Sequence, residues 1–252
     1  MGILIFIYGL IIGSFLNVCI YRIPREESIV FPSSHCPKCG TSLRVIDLIP
    51  VFSYLFQRGK CRYCREQISI QYPLIELLNA ILYIFIYRYY GLTLEFFFYV
   101  VIFSILLVIT VIDLKHMVIP DILVVSILII AIIYKILSFI LYANPLNLLN
   151  SIGGLVISGL LFLLIILISK GGMGGGDVTL IASLGFIFGV KGILLTIFLS
   201  FLTGSVISVI LLISRIKTKK DPIPFGPFIV LGFFIANFWG DKLVNWYISK
   251  FY

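Results

Sequence analysis

The sequence predicts an all-α polytopic membrane protein with about eight transmembrane helices and a small zinc-bound cytoplasmic module between the first and second. Three observations carry this. Of 252 residues, 61% are hydrophobic and only 12% are charged, against roughly a quarter charged in soluble domains. The apolar residues fall in runs long enough for helices to cross a bilayer, not in short alternating barrel segments. Four of the five cysteines stand as two C-x-x-C pairs inside the one sizeable polar segment.

The first apolar run, from about Ile3 to Tyr21, has the length of a signal peptide. It lacks a basic n-region and a small-residue cleavage site, so residues 1–21 read as a retained first span. Gly9 and Gly13 are four apart, a small-xxx-small face suited to close helix packing. Asn17 lies one turn further along that face and should point at protein. Cys19 stands alone in this span.

Residues 22–72 form the polar module. Cys36-Pro37-Lys38-Cys39 and Cys61-Arg62-Tyr63-Cys64 are two knuckles, each able to offer two thiolates from one tight turn to a tetrahedral Zn²⁺. Four free thiols, or a redox pair in each knuckle, is the alternative. So small an insert has little core of its own, and a metal staple compensates. His35 is surplus to a four-cysteine set. Seven more spans follow at about 74–90, 94–112, 121–142, 149–169, 178–191, 193–213 and 225–248, with Gly189, Lys191 and Gly192 marking a tight turn. Residues 73–252 read as one multi-helix transmembrane domain. No periodic repeat and no nucleotide-binding fingerprint is evident.

Charge orients these spans. Arg22, Arg25, Lys38, Arg44, Arg58, Lys60, Arg62, Arg65, Lys115, Lys170, Arg215, Lys217, Lys219 and Lys220 fall on one side if the chain starts outside. Only Arg88, Lys191, Lys242 and Lys250 fall on the other, and Lys135 lies within a span. By the positive-inside rule the first group faces the cytoplasm. The net charge of +8 is thus a topology signal and not a nucleic-acid footprint; the expected surroundings are a lipid bilayer.

This topology puts Asp113, at the end of the third span, and Asp177, at the start of the sixth, at the same cytoplasmic edge. Asp177 closes the stretch Gly172-Met173-Gly174-Gly175-Gly176-Asp177, whose glycines permit close backbone approach. Its ordinary role would be the N-cap of the next helix; Asp121, after Pro120, reads as another N-cap. Two carboxylates at one depth also suit an aspartyl protease dyad that shares one proton: the ionised member takes a proton from water and the protonated member polarises the scissile carbonyl. Paired aspartates serve ion-coupled transporters as well, although those sites usually lie near mid-membrane. A zinc-ribbon scaffold would explain the cysteines and leave the glycine-aspartate box without a use.

Taken together, the motifs resemble the bacterial type IV prepilin peptidases, polytopic aspartyl proteases of the G-x-G-D class. The resemblance runs over almost the whole chain. It includes Gly13-Ser14-Phe15-Leu16-Asn17-Val18, the two cysteine knuckles, Ile68-Ser69-Ile70-Gln71-Tyr72-Pro73-Leu74-Ile75-Glu76, Asp113 with Ile119-Pro120-Asp121, Gly174-Gly175-Gly176-Asp177, and Pro224-Phe225-Gly226-Pro227-Phe228. It implies that Asp113 and Asp177 are the catalytic pair, with Gly174, Gly175 and Gly176 as the supporting loop. It implies cleavage of the leader of prepilins and pseudopilins on the cytoplasmic side of the bacterial inner membrane, for type IV pilus assembly and protein secretion. It also implies N-methylation of the new terminal residue from S-adenosylmethionine, since the tetracysteine module, holding Zn²⁺ through Cys36, Cys39, Cys61 and Cys64, accompanies the methylating members; a peptidase without methyl transfer is the alternative. Thr179 stands where many relatives carry lysine. No sequence pattern marks a methyl-donor site. Glu76 and Asp47, acidic residues near the module's ends, are candidates whose ordinary role is helix capping or ion pairing with the loop arginines.

Overall fold

The structure, a computed structural model, describes residues 1–143, 145–169, 173–218 and 221–251. Gly172 of the glycine box, together with Lys170, Lys219 and Lys220, lies outside the described residues. Every expected apolar run is helical. The main helices are α1 (Gly2–Arg22), α3 (Gln71–Tyr90), α4 (Leu94–His116), α5 (Asp121–Tyr142), α6 (Leu148–Ile168), α7 (Gly175–Ile213) and α8 (Gly226–Phe251), with a short α2 (Phe52–Phe56) in the polar module. Among the described residues, six helices are long and apolar enough to cross a membrane. Two features account for the difference from eight. Helix α3 carries Glu76, Asn79 and Arg88, which dilute its apolar character, and it is not one of the six. Helix α7 contains two of the expected spans.

The break in α7 is at Gly189, whose φ of 67° and ψ of −172° interrupt the helix. Only glycine adopts such a conformation readily. The flanking Val190 amide donates to the Asn150 side chain (3.1 Å), which supplies a partner at the break. Packing shows that the chain reverses there. A Cβ on Gly159 of α6 would touch Ala182 before the break (3.5 Å). Phe162, three residues along α6, packs on Phe201 after it, with ring centroids 6.0 Å apart. In a straight helix Ala182 and Phe201 would be separated by about 28 Å. The turn expected near Gly189–Gly192 is therefore a true reversal between two spans.

The chain divides into two compact units, Met1–Val108 and Ile109–Tyr252. In the first, α1 packs on α3. A Cβ on Gly9 would stand 2.6 Å from the Ala80 backbone, and one on Gly13 would stand 2.6 Å from the Glu76 backbone. One turn on, the Asn17 amide donates to the Tyr72 carbonyl (3.1 Å). Positions 9, 13 and 17 thus face 80, 76 and 72, the helix–helix face that their four-residue spacing predicts. Deeper in this unit, Asn79 donates to the Gly9 carbonyl (2.8 Å) and accepts from Ser104 (3.1 Å), whose hydroxyl meets that of Tyr83 (3.2 Å). Buried polar groups are thereby paired between helices, as a membrane interior demands.

In the second unit, α7 packs against α5, α6 and α8. Asp121 is not the N-cap of α5. Pro120 holds that position with an extended backbone, and Asp121 is the first helical residue, where its charge complements the helix dipole.

Alanine normally favours a helix over glycine by about 1 kcal/mol, whereas forcing a side chain into a filled interface costs about 1–3 kcal/mol. Gly13→Ala should therefore lower the thermal unfolding midpoint in detergent. Gly2→Ala, where the nearest atom is 3.9 Å away, should leave it unchanged or raise it. A raised midpoint for Gly13→Ala would contradict the α1–α3 packing.

Candidate active site and metal centre

The second unit brings together three helix ends. Asp113 lies in the last turn of α4. Asp177 lies in the first turn of α7, and Gly226 is the first residue of α8. Both carboxylates are buried, with 5% and 7% exposure, and the charge of Asp113 acts on Asp177. Asp113 Oδ2 accepts a hydrogen bond from the Gly226 amide (2.9 Å). This N–H belongs to the opening turn of α8, where amides lack helical partners and the dipole favours an anion. Asp177 Oδ2 accepts from the Gly174 amide (3.2 Å). The helix begins at Gly175, so Asp177 is its third residue and not its N-cap. It reaches back to the capping residue, the carboxylate half of a capping box.

The glycines are required by distance. A Cβ on Gly226 would stand 2.6 Å from Asp113 Oδ2 and 3.3 Å from Ile119 Cδ1. A Cβ on Gly176 would stand 2.8 Å from Ile119 Cβ. Ile119, buried between them, is the common wedge against which both glycines close. Gly175, by contrast, has open space at its Cβ position, and a Cβ on Gly174 would meet only Asp177 Oδ2 at 3.7 Å. Among the described box glycines, Gly176 is the one that sterics demand. Gly226 is a candidate site residue that residue-level reading did not single out. The signal was present in Pro224-Phe225-Gly226-Pro227-Phe228, but nothing in sequence shows that this glycine's amide meets a carboxylate 113 positions away. Thr179 turns its hydroxyl back to the Gly176 carbonyl (3.0 Å).

The first unit holds the cysteine cluster. The Sγ atoms of Cys36, Cys39, Cys61 and Cys64 all lie within 4.8 Å of one another, with Cys36 and Cys64 at 3.9 Å. A tetrahedral thiolate site with Zn–S near 2.3 Å needs sulfurs about 3.8 Å apart, so the set fits a metal ion. His35 is not among these ligands; its Nδ1 lies 3.1 Å from the Ser33 carbonyl.

The two knuckles are copies of each other, twenty-five positions apart. Cys36 N–H donates to Thr41, Gly40 N–H to Cys36, and Leu43 N–H to Ser34; Cys61 N–H donates to Glu66, Arg65 N–H to Cys61, and Ile68 N–H to Gly59. Each is closed by a short antiparallel bridge, His35 with Ser42 and Lys60 with Gln67. This pairing is not a periodic sequence repeat, and none is evident in the sequence. The repeat lies in backbone bonding, and apart from the cysteines its side chains differ too much to reveal it.

Hydrogen bonding with the Thr41 hydroxyl and amide holds the Cys39 thiol down to about 6, toward the thiolate form that ligates a metal. The Glu66 amide also favours the Cys64 thiolate, but desolvation and the neighbouring thiols outweigh it and push Cys64 up to about 12. Four thiolates cannot share this space without a cation.

Asp47 organises the loop between the knuckles. It accepts from the Arg44 amide (3.1 Å), Gln57 (3.3 Å) and the Tyr63 hydroxyl (2.9 Å), and pairs with Arg62 (3.6 Å). Burial opposes its charge, yet these partners hold it below the usual carboxylate range. Its ordinary role, ion pairing with a loop arginine, is the observed one. Glu76, buried on α3, accepts from the Val51 amide (2.7 Å).

A depressed carboxylate stabilises the fold above its unfolded pKa, about 3.9, and loses that contribution only as pH falls through the lower folded value. Asp47→Asn should therefore destabilise the module by about 1–2 kcal/mol, with a gap to the parent that stays constant from pH 8 to about pH 5. Thermal melts across that range test this. A gap that closes near pH 6 would contradict the charge assignment.

Comparison with known proteins places these features. Residues 7–90 match the family model described as Bacterial Peptidase A24 N-terminal domain, and residues 100–209 match Type IV leader peptidase family. The chain is 38% identical to a Bacillus subtilis protein named prepilin leader peptidase/N-methyltransferase, covering 98% of this chain and 97% of the relative. Proteins of the same name from Xanthomonas campestris and Pseudomonas aeruginosa are 35% and 34% identical, covering 95% and 96% of this chain and 92% and 91% of their own. No solved structure matches the chain.

Proposed function

The chain belongs to the type IV leader peptidase family, and from that premise we propose that Asp113 and Asp177 are its catalytic dyad, cleaving the leader of type IV prepilins and pseudopilins. It is a multi-pass membrane peptidase with methyltransferase activity. The observation that carries the dyad is that two buried carboxylates, one acted on by the other's charge, each have one oxygen fixed by a glycine amide. Fixing Oδ2 on each residue leaves Oδ1 for the reaction. The ionised member takes a proton from the attacking water, and the protonated member gives its proton to the scissile carbonyl oxygen. Collapse of the tetrahedral species then breaks the C–N bond, and the released amine takes up a proton.

The backbone tethers matter because they cost no reorganisation during the reaction. The distribution of basic residues supports a cytoplasmic-facing site in the bacterial inner membrane.

The four cysteines are the proposed ligands of a structural Zn²⁺, which closes the module of residues 22–72. S-adenosylmethionine is the proposed methyl donor; it would supply an electrophilic methyl group to the new N-terminal amine. Residues 73–252 are the proposed peptidase domain.

Asp113→Asn and Asp177→Asn should each cut prepilin cleavage by a factor on the order of 10²–10⁴, while membrane insertion and thermal stability persist. Retained cleavage in either variant contradicts the dyad. Cys36→Ser should abolish zinc retention, measured by elemental analysis of purified protein, and should cost methyl transfer more than cleavage. Equal loss of both activities would contradict a separable module.

A further inference from the structure

The first unit contains a cavity of ≈ 370 Å³ bounded by α1, α3 and the cysteine module. This volume lies within the roughly 300–1,000 Å³ of small-molecule sites. Its wall includes Tyr21, Tyr54 and Tyr72, whose rings suit a planar base or a cation. Most charged or amide groups on the wall are already committed. Arg22 donates to the carbonyls of Ser28 (2.8 Å) and Pro32 (2.7 Å). Asn17 donates to Gly13 and Tyr72 and accepts from Gln71. Asp47 is occupied by the four partners given above.

Glu76 differs. A carboxylate offers about four acceptor sites, and the partners of Glu76 are two, the Val51 amide and the Ser14 hydroxyl. It is a buried carboxyl group, 6% exposed, on the wall of the cavity and with acceptor capacity to spare. The charged form of such a group is stabilised by a cationic or hydrogen-bond-donating occupant.

We propose that this cavity is the binding site for S-adenosylmethionine, with Glu76 as its anionic anchor and the tyrosines as its aromatic walls. The proposal rests on the methyltransferase reading above. The ligand is a sulfonium cation that also carries a planar base and a ribose diol, and the cavity offers an anion and aromatic faces together. Cys36 and Cys61 also line the cavity, so the metal centre forms part of its wall. This gives a physical reason for a cysteine module in a methylating enzyme: the staple shapes the donor pocket.

The test measures binding and not turnover. The zinc-loaded full-length protein in detergent is titrated calorimetrically with S-adenosylmethionine and with S-adenosylhomocysteine, and the labelled donor is photo-crosslinked and mapped by peptide mass spectrometry. Glu76→Gln should weaken S-adenosylmethionine binding at least tenfold and S-adenosylhomocysteine, which lacks the sulfonium charge, by less. Val18→Phe, which fills the cavity from the α1 side, should abolish binding of both while zinc content is retained. Crosslinks should map to residues 14–76. If Glu76→Gln loses its zinc, Val18→Phe alone decides. Parent-like binding in the zinc-retaining variants, or crosslinks confined to residues 109–252, would overturn the site and leave the methyltransferase reading intact. Absence of donor binding by a protein that still cleaves prepilin and transfers no methyl group would overturn both.

Discussion

The close approach of glycine backbone to the two aspartates is the constraint on which the proposed catalytic site depends. The Gly226 amide can reach Asp113 only because no Cβ intervenes; one would stand 2.6 Å from the carboxylate oxygen it serves. Gly176 closes on Ile119 in the same way, and Gly226 meets Ile119 from the other side. A side chain at either glycine would push Ile119 or a carboxylate out of place. The start of α8, the start of α7 and the end of α4 are thereby tied around a single isoleucine. Fixed dipoles aimed at fixed carboxylates are the form of preorganisation that favours proton transfer in a dry site.

The first unit uses the same device for another purpose. Gly9 and Gly13 let α1 sit directly against α3, and Asn17 completes the contact by bonding the Tyr72 carbonyl. This contact positions Glu76, since Gly13 packs on its backbone. The polar loop has little apolar interior, so its order comes from two matched knuckles, four clustered thiols and the hydrogen bonds gathered on Asp47. The cysteine cluster, the loop and the cavity wall are built from the same segment, residues 14–76.

Much of this was legible in the sequence for reasons of periodicity and charge. Span positions follow from apolar runs, the α1 face from four-residue spacing, and the metal site from C-x-x-C spacing. The turn in α7 was signalled by Gly189, Lys191 and Gly192. Other features were not legible because they depend on contacts between distant positions. The amide of Gly226 finds Asp113 through tertiary packing. The knuckle repeat is written in backbone bonds. Cap positions shifted for a local reason: Pro120 and Gly174 take the extended backbone conformation that an N-cap needs, so Asp121 and Asp177 fall inside their helices. Asp177 keeps a capping function by reaching back through Oδ2 to the Gly174 amide.

The central claim is that Asp113 and Asp177 act as one unit, and a double-mutant cycle on prepilin cleavage tests it most directly. Groups that share one catalytic proton are strongly non-additive. The double variant Asp113→Asn with Asp177→Asn should cleave no more slowly than either single variant. Losses that multiply, with the double variant slower than each single by the other's full factor, would show two independent contributions and contradict the dyad.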